Sequence, residues 1–154
     1  MKKIVVISDS HGNKNLIDRI FNEVKFDYLI HLGDGIEDLG TYIYDERVKV
    51  VRGNCDFFSN EKYESFLFIE NVLIFFTHGH EYGVKHTLNQ LYKRIMGINT
   101  SLVLYGHTHL PKTDIINNIT FHNPGSLSTS RSSNTNYSII TIDDKNFSIQ
   151  KCSF

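Results

Sequence analysis

The segment Ser101-Leu-Val-Leu-Tyr105-Gly106-His107-Thr108-His109 joins a short apolar run to two histidines that are separated by one residue. The run predicts a buried β-strand, and Gly106 allows a sharp turn of the backbone where that strand ends. Neutral imidazole is the commonest protein ligand for a transition metal, so two imidazoles at a strand end form a candidate metal site. An isolated pair of this kind is more often part of a surface turn. The metal interpretation therefore depends on whether other strand ends supply further ligands.

Four other predicted strand ends carry side chains of the same type. Each follows an apolar run and contains a glycine; the runs lie at residues 4–7, 28–32, 48–51 and 72–76. The polar candidates at the five strand ends are Asp9, His11, Asp34, Asn54, His78, His107 and His109. A single Asp, Asn or His in such a place often caps a helix or stabilises a turn. Recurrence at five strand ends instead indicates one shared site.

The order of the predicted elements places these strand ends side by side. The first 51 residues alternate strand, helix, strand, helix and strand, a pattern typical of a parallel sheet, and ligands bind at the carboxyl ends of such strands. Helices are predicted around residues 16–24, 36–44 and 84–96, and hairpin turns at residues 70–71, 117–118 and 143–145. We expect the polar run at residues 128–136 to be a surface loop, and residues 1–154 to form a single domain.

The composition narrows the classes of partner. Of the 154 residues, 40% are hydrophobic and 21% are charged, and the net charge is −1 with histidine neutral. This balance offers no basic surface for stable nucleic-acid binding or for an anionic membrane, and no apolar run approaches the ~18 residues of a membrane helix. Cys55 and Cys152 lie far apart without a CxxC pair, which indicates reduced thiols and predicts a cytoplasmic protein.

The type and number of the candidate ligands predict two metal ions rather than one. Carboxylate, amide and imidazole groups without thiolates suit Mn²⁺, Fe, Co²⁺, Ni²⁺ or Zn²⁺ better than Ca²⁺ or an iron–sulfur cluster. Seven side chains make two four-ligand sites if one carboxylate is shared between them. Metal pairs of this kind sit ~3.5–4 Å apart and stabilise the attacking and leaving oxygens of an in-line displacement. The local charge would be about +1, which favours an anionic phosphate ester as the substrate.

Five short motifs, spread over most of the chain, carry a resemblance to a known family. They are Asp9-x-His11, Gly33-Asp34, Gly53-Asn54, His78 and Gly106-His107-x-His109. Their order resembles that of the calcineurin-like metallophosphoesterase superfamily. The further motifs Asn54-Cys55-Asp56 and Asn123-Pro-Gly-Ser126, followed by Arg131, resemble its YfcE-type phosphodiesterases. The resemblance implies an α/β fold, a four-layer α/β/β/α sandwich in which two mixed β-sheets are flanked by helices, and a dinuclear metal hydrolase.

The resemblance also implies a role for each candidate ligand. The first metal would be held by Asp9, His11, Asp34 and His109, and the second by Asp34, Asn54, His78 and His107. Asp34 would bridge the two ions, and a bridging hydroxide would be the nucleophile, because two cations lower the pKa of bound water. Asp34 and Asn54 are therefore catalytic as well as metal-binding candidates. We expect Mn²⁺ in both sites, with Ni²⁺, Zn²⁺, Fe or Co²⁺ as alternatives.

Three further residues are candidates near the substrate. Cys55 stands where many monoesterases of the superfamily carry a histidine that protonates the leaving group, and a thiol is a weak acid and a weak donor. This predicts a preference for diesters with good leaving groups, or a proton supplied by His80 or by a metal-bound water. Arg131 would reach a phosphate oxygen. The alternatives are that Cys55 is a small space-filling residue, His80 a turn residue and Arg131 an exposed loop arginine.

The leading prediction is a metal-dependent phosphodiesterase that acts on a small or nucleotide-like phosphate ester. A phosphomonoesterase is one alternative. The other is a non-catalytic interaction scaffold similar to the retromer subunit Vps29, whose metal site is degraded; the complete set of ligand residues in this chain argues against it. The resemblance leaves a homo-oligomer, a dimer or a tetramer, open. We predict no nucleic-acid partner and no membrane partner.

Overall fold

Within residues 1–129 and 134–154, which the computed structural model describes, two five-stranded β-sheets pack face to face and helical segments cover their outer faces. The strands are β1 (Lys2–Ile7), β2 (Tyr28–His31), β3 (Val48–Val50), β4 (Glu64–Ile69), β5 (Val72–Thr77), β6 (Leu102–Leu104), β7 (Lys112–Ile116), β8 (Ile119–Asn123), β9 (Asn136–Asp143) and β10 (Asn146–Ser153). The helices are α1 (Lys14–Glu23) and α2 (Asn89–Ile95), with 3-10 segments at Ile36–Tyr44 and His80–Tyr82.

Both sheets are mixed. The first has the strand order β10-β9-β1-β2-β3, in which β1, β2 and β3 are parallel and β9 is antiparallel to β1 and to β10. The second has the order β4-β5-β6-β8-β7, in which β5, β6 and β8 are parallel and the outer strands are antiparallel to their neighbours. Parallel strands present their carboxyl ends at one edge of a sheet. The loops after β1, β2 and β3 are therefore neighbours, as are the loops after β5 and β6.

Strand β1 is buried on both of its faces. Ile4 and Val6 belong to the apolar cluster between the sheets, whereas Val5 and Ile7 pack in the cluster that includes α1. All four side chains have no exposed surface, and burial of each stabilises the fold by about 1.5–3 kcal/mol relative to exposure. This two-sided burial explains why a continuous β-branched run forms a central strand.

The second sheet carries α2 on its outer face. Phe75 of β5 and Val103 of β6 pack with Leu91 and Ile95 of α2. The first sheet is covered in the same way by α1 and the segment Ile36–Tyr44. The layers therefore run helix, sheet, sheet, helix, which confirms the predicted sandwich of two mixed sheets flanked by helices.

The helix predicted at residues 84–96 is shorter in the structure and occupies only Asn89–Ile95. Before it, two backbone N–H groups bond to the carbonyl of Gly83, so this stretch forms tight turns. Gly83 ends the 3-10 segment His80–Tyr82 with a φ of 61°, a left-handed conformation that separates this segment from the turns that follow. The helical spacing was misleading because Val84 and Leu88 pack against the second sheet from these turns as well.

The polar run at residues 128–136 is only partly a surface loop. Ser128 and Thr135 are buried, and β9 already begins at Asn136. Residues 130–133 lie outside the part of the chain that the structure describes.

The helical segments are short. Ile36–Tyr44 is a 3-10 helix that is interrupted at Gly40, where φ is 52° and ψ is −125°. Helix α1 has ten residues and α2 has seven. Across residues 1–129 and 134–154, none of the helices has the length and apolar character needed to cross a membrane.

Candidate metal centre

The seven predicted ligand side chains converge where the parallel strands of both sheets end. The set consists of Asp9 and His11 after β1, Asp34 after β2, Asn54 after β3, His78 after β5, and His107 with His109 after β6. Within the first sheet, the N–H of Asp9 donates to the carbonyl of Gly33 at 2.9 Å. Between the sheets, the N–H of His107 donates to the carboxylate of Asp9 at 3.0 Å. The packing of two sheets therefore brings loops that are distant in sequence to one place.

The first donor group contains Asp9, His11 and His109. Oδ1 of Asp9 lies 3.1 Å from Nε2 of His109 and 3.7 Å from Nε2 of His11, and the two imidazole nitrogens are 3.3 Å apart. This oxygen is buried and has no hydrogen-bond partner among the described residues. Oδ2 of the same carboxylate is already occupied, because it accepts hydrogen bonds from Ser8 Oγ at 2.5 Å and from His107 N–H at 3.0 Å.

The second donor group contains Asn54, His78 and His107. Nε2 of His78 lies 3.1 Å from Oδ1 of Asn54 and 3.2 Å from Nδ1 of His107. Nδ1 of His78 is 2.7 Å from the carbonyl oxygen of Leu32, which can only accept, so this nitrogen carries the proton. Nε2 then carries a free lone pair on the side that faces Asn54 and His107, which is the arrangement of a metal-binding imidazole.

Asp34 lies between the two groups. Its Oδ2 atom is 3.3 Å from Nε2 of His78 and 3.8 Å from Nε2 of His11. Its Oδ1 atom accepts a hydrogen bond from the N–H of Cys55 at 2.8 Å, which fixes the orientation of the carboxylate. A single carboxylate oxygen therefore faces donors of both groups.

Backbone strain is concentrated at this site. Five of the seven residues have a left-handed φ: Asp9 (53°), His11 (41°), Asp34 (58°), His107 (68°) and His109 (63°). In the described part of the chain, the other non-glycine residues with positive φ lie in the hairpin turns, at Glu70, Asn117, Asn118 and Asp144. A left-handed non-glycine residue costs about 1–3 kcal/mol and persists only where its surroundings enforce it, which is typical of a functional site.

A buried carboxylate supports the strained loops. Oδ2 of Asp56 accepts hydrogen bonds from the N–H groups of Asp34 and Gly53, both at 2.7 Å. Its Oδ1 accepts from the N–H groups of Gly35 at 2.9 Å and Ile36 at 3.1 Å. Asp56 thereby joins the loop after β2 to the loop after β3 and positions Asp34. From sequence this residue has no assigned role, although an aspartate in a polar loop commonly bonds nearby backbone N–H groups.

Two glycines allow these loops to approach each other. A Cβ atom at Gly33 would lie 2.5 Å from the backbone nitrogen of Gly53, and one at Gly53 would lie 2.0 Å from Oδ1 of Asp34. Neither space admits a methyl group. A side chain at either position would therefore displace Asp34 from its place between the donor groups.

The charge states of the centre suit metal ligands. Burial raises the pKa of Asp34, but the contact with His78 outweighs it and the pKa is lowered to about 2. Burial also raises the pKa of Asp9, yet its contacts with His109 and His11 hold that pKa below the usual range. Burial, and then repulsion from His78, lower the pKa of His107 to about 4. Ionised carboxylates and a neutral imidazole are the forms that bind metal near neutral pH.

The residues present fit two divalent cations. Burial lowers the pKa of His78, but Asp34 and Asp9 outweigh it and raise this pKa, so the carboxylates attract positive charge to the centre. The orphaned Oδ1 of Asp9 is a second sign, because buried polar atoms without a partner are rare in folded proteins. Oxygen and imidazole nitrogen donors are those that first-row divalent metals prefer. A cation in each group would satisfy this oxygen and the imidazole lone pairs together.

Cys55 lies at the rim of the first group. Its side chain is exposed, and its Sγ lies within 4.8 Å of donor atoms of His11 and Asp34. Burial, and then the charge of Asp34, raise the pKa of the thiol, so it stays protonated near neutral pH. Cys55 thus contributes in two ways: its backbone N–H donates to Asp34, and its neutral side chain lies beside the centre.

His80 lies beside the second group, outside the donors described above. Its ring centroid is 5.4 Å from that of His78 and 6.1 Å from that of His107. Its Nδ1 atom is buried and has no hydrogen-bond partner in the described part of the chain. Burial, and then repulsion from His78, lower its pKa. Arg131, which is predicted together with Cys55 to bind the substrate, lies outside the described residues.

A buried histidine of β2 helps to fix the loop that carries His11. His31 lies at the end of β2 with no exposed surface, and its Nδ1 accepts a hydrogen bond from Gly33 N–H at 3.0 Å. Its Nε2–H therefore donates to Ser10 Oγ at 3.2 Å, and this hydroxyl donates to Asp38 at 2.6 Å. This chain of hydrogen bonds joins residues that are far apart in sequence, so no local pattern predicts it.

Comparisons with known proteins identify the family of the chain. The model of the calcineurin-like phosphoesterase superfamily domain matches residues 1–145. The chain is 34% identical to the probable metallophosphoesterase YsnB of Bacillus subtilis, over 92% of this chain and 85% of that protein. It is 28% identical to the phosphodiesterase YfcE of Escherichia coli, over 87% of this chain and 84% of that protein. A solved structure of YfcE superimposes with a TM-score of 0.72 at 24% identity, over 98% of each chain.

Vps29 shares the same fold. The structure of wild-type Vps29 from Entamoeba histolytica, complexed with zinc, superimposes with a TM-score of 0.79 at 20% identity, over 98% of each chain. Likeness at this level of identity reports the fold alone, whereas the match of the family model and the identity to YsnB report descent. The chain belongs to the calcineurin-like phosphoesterase superfamily, and its relatives group it with the YfcE-type members.

Proposed function

We propose that the chain hydrolyses phosphodiesters at a centre of two divalent metal ions. The observation that carries this proposal is the position of Asp34, whose Oδ2 faces imidazoles of both donor groups. One ion would be held by Asp9, His11, Asp34 and His109, and the other by Asp34, Asn54, His78 and His107. Bound there, the cations supply Lewis-acid stabilisation of the phosphoryl oxygens and lower the pKa of water to provide a nucleophile. Mn²⁺ is the proposed metal, with Ni²⁺, Zn²⁺, Fe or Co²⁺ as alternatives.

The protein's own groups hold the ligands in place before a substrate arrives. The N–H of Cys55 fixes one oxygen of Asp34 and leaves the other toward the donor groups. The carbonyl of Leu32 fixes the tautomer of His78. Ligands that are held in this way need not reorient as charge develops in the transition state, which lowers the barrier.

His80 and Cys55 are proposed to act on the substrate. His80 has a buried Nδ1 without a partner among the described residues, beside the second donor group, so it is placed to orient a phosphate oxygen or hold a proton. The neutral thiol of Cys55 is a weak donor and gives a leaving group little help. Diesters with good leaving groups are therefore favoured over monoesters. Arg131 is proposed to bind a phosphate oxygen of the substrate.

The proposed substrate is a small phosphate ester or a nucleotide-like diester. The net charge of −1 offers no extended basic surface for a long nucleic acid. Attraction of the phosphate then depends on the charge of the centre itself. Support for a diester comes from YfcE, which is named a phosphodiesterase and is 28% identical to this chain.

A non-catalytic scaffold is the second candidate, favoured by the likeness to Vps29. Because that Vps29 structure contains zinc, metal binding alone does not separate a scaffold from an enzyme. Turnover of a phosphate ester does separate them.

The test is hydrolysis of bis(p-nitrophenyl) phosphate by the purified protein, before chelation, after chelation, and after each metal is added back. We expect turnover that chelation abolishes and Mn²⁺ restores best, with slower hydrolysis of p-nitrophenyl phosphate. Asp18→Asn, which alters a surface ion pair with Lys14 on α1, is the control and should behave as wild type. Metal binding without turnover of either ester would favour the scaffold, and faster turnover of the monoester would favour a phosphomonoesterase.

A further inference from the structure

A cleft of about 570 Å³ opens beside the first donor group. The residues that line it include His11, Asp34, Cys55, Ile36, Phe57 and Phe58. Because His11 and Asp34 also belong to the candidate metal centre, a molecule whose phosphate binds there can extend into the cleft without leaving the protein surface. The volume is in the range of pockets that hold small molecules.

Two adjacent phenylalanines are exposed at this cleft. Phe57 and Phe58 are 75% and 90% exposed, and they directly follow Asp56, whose carboxylate bonds to the N–H of Asp34. The N–H of Ser59 also donates to the carbonyl of Asp56 at 3.2 Å, so the loop is held on both sides of the pair. Side chains this exposed add little to a core. Beside a pocket, they are typical of a surface that contacts an apolar or planar ligand.

The charged groups along the cleft are acidic. Glu37 and Glu61 line it, are exposed, and pair with no cation in the described part of the chain. Asp38 and Asp56 line it too, but hydrogen bonds from Ser10 and from backbone N–H groups occupy their carboxylates. Lysine and arginine are absent from the described residues that line the cleft. A ligand group with a negative charge would be repelled there.

We propose that this cleft binds one organic substituent of the phosphodiester, an aromatic or apolar group without negative charge. The inference rests on the proposed function, which puts the phosphate at His11 and Asp34. Phe57 and Phe58 contact the substituent, and Glu37 with Glu61 select against anionic groups. The substrates are therefore diesters with at least one neutral or cationic substituent of this kind. Diesters in which both substituents carry a carboxylate or a further phosphate are excluded.

Two symmetric diesters test the selection by charge, because either substituent can then enter the cleft. Bis(p-nitrophenyl) phosphate has neutral rings, and bis(p-carboxyphenyl) phosphate has anionic rings. In the double variant Glu37→Gln/Glu61→Gln, we expect kcat/KM for the carboxylate diester to rise roughly three- to ten-fold relative to the nitro diester. Glu46→Gln, at an exposed glutamate that does not line the cleft, should leave the ratio unchanged. An unchanged ratio in the double variant overturns the charge selection.

Binding of anions that cannot be hydrolysed tests the aromatic contact without relying on turnover. Diphenylphosphinate carries two phenyl rings, and dimethylphosphinate carries the same charge without rings. Calorimetry on Mn²⁺-treated protein should show that Phe57→Ala/Phe58→Ala weakens diphenylphosphinate binding roughly three- to ten-fold and leaves dimethylphosphinate binding unchanged. Phe68→Ala is the matched control, because Phe68 is 65% exposed on β4 and does not line the cleft.

The outcomes separate this inference from the proposed function. Wild-type affinity of the double alanine variant for diphenylphosphinate overturns the role of the two rings. Equal weakening of both phosphinates does so as well, because the loss would then come from the phosphate site. If the affinity for diphenylphosphinate depends on the two rings but neither diester is hydrolysed, the proposed function is wrong, while the assignment of the cleft as a binding site for an aromatic group stands. Both side chains are exposed, so their truncation leaves the core intact.

Discussion

Asp34 and His78 meet across the two sheets, with Oδ2 of the carboxylate 3.3 Å from Nε2 of the imidazole. Each side chain is held from behind, Asp34 by the N–H of Cys55 and His78 by the carbonyl of Leu32. The remaining carboxylate oxygen and imidazole nitrogen face each other, and this arrangement is favourable only with positive charge on the ring or between the two groups. Because Asp34 also approaches His11 at 3.8 Å, it is the residue on which the proposed chemistry depends most.

Asp34→Asn should abolish hydrolysis while leaving the fold largely intact. The amide has the same size and can still accept the N–H of Cys55, but it lacks the charge that holds two cations. We expect kcat/KM to fall about a thousand-fold or more, with a thermal midpoint close to that of wild type. Asp18→Asn controls for the loss of a carboxylate elsewhere. Near-normal turnover in Asp34→Asn would contradict the two-metal model.

His109→Ala should reduce the bound metal from two ions per chain to one. The variant removes a ligand of the first donor group and leaves Asn54, His78 and His107 of the second group in place. Elemental analysis of protein freed from excess Mn²⁺ by gel filtration gives the stoichiometry. His86→Ala, at an exposed histidine, should retain the wild-type value. Two ions in the His109 variant would show that the two groups do not act as separate sites.

The strand-end motifs could be predicted because their signal is local. A buried β-branched run followed by glycine and a polar residue, as at Asp9 or Asp34, is readable within ten residues of sequence. The division of the ligands between two packed sheets is different. Hydrophobic periodicity cannot distinguish one parallel sheet from two sheets that face each other, so the four-layer order followed from the family resemblance rather than from the pattern.

Features that depend on tertiary packing cannot be predicted from the hydrophobic pattern of the sequence. The exposure of Phe57 and Phe58 is one example, because two adjacent aromatic residues after a turn are equally compatible with a buried strand start. Asp56 is another: its four N–H donors come from two loops, and only their approach in space gives it a positioning role.

Asp56→Asn should weaken both stability and metal affinity. The amide offers one acceptor oxygen where the carboxylate accepts from four N–H groups, and its NH₂ group would face donors. We expect a loss of about 2–4 kcal/mol in the free energy of unfolding by chemical denaturation, and about 10- to 100-fold weaker Mn²⁺ binding. Asp45→Asn, at a surface pair with Arg47, is the control. Lower stability with unchanged metal affinity would limit Asp56 to a structural role.

His122 should make stability fall as pH decreases. It lies on β8 of the second sheet, 2.8 Å from Thr113 Oγ1 and 2.8 Å from Ser138 Oγ of the first sheet. Burial, and then Lys151, lower its pKa from 6.5 to about 4. The folded state therefore binds the proton less well than the unfolded state. The stabilisation is complete above pH ~6.5 and decreases as the pH falls toward ~4, where the loss amounts to about 3 kcal/mol.

The test of His122 is the difference in unfolding free energy between wild type and His122→Gln over this pH range. Other titrating groups are common to both proteins and cancel in the difference. Glutamine has no charge to acquire, so the variant should lose less stability than wild type as the pH falls. Parallel pH profiles would show that the buried imidazole does not resist protonation.

Cys55→His should move the preference of the enzyme toward monoesters. The thiol pKa is raised by burial and then by Asp34, so the native side chain is a poor proton donor. An imidazole at this exposed position could protonate the leaving oxygen, and we expect the ratio of kcat/KM for p-nitrophenyl phosphate to that for bis(p-nitrophenyl) phosphate to rise about ten-fold or more. Both substrates release the same alcohol, so the ratio reports the ester class alone. Cys55→Ser keeps a small, weakly acidic side chain and should retain the wild-type ratio. The same ratio in the histidine variant would mean that Cys55 only fills space beside the centre.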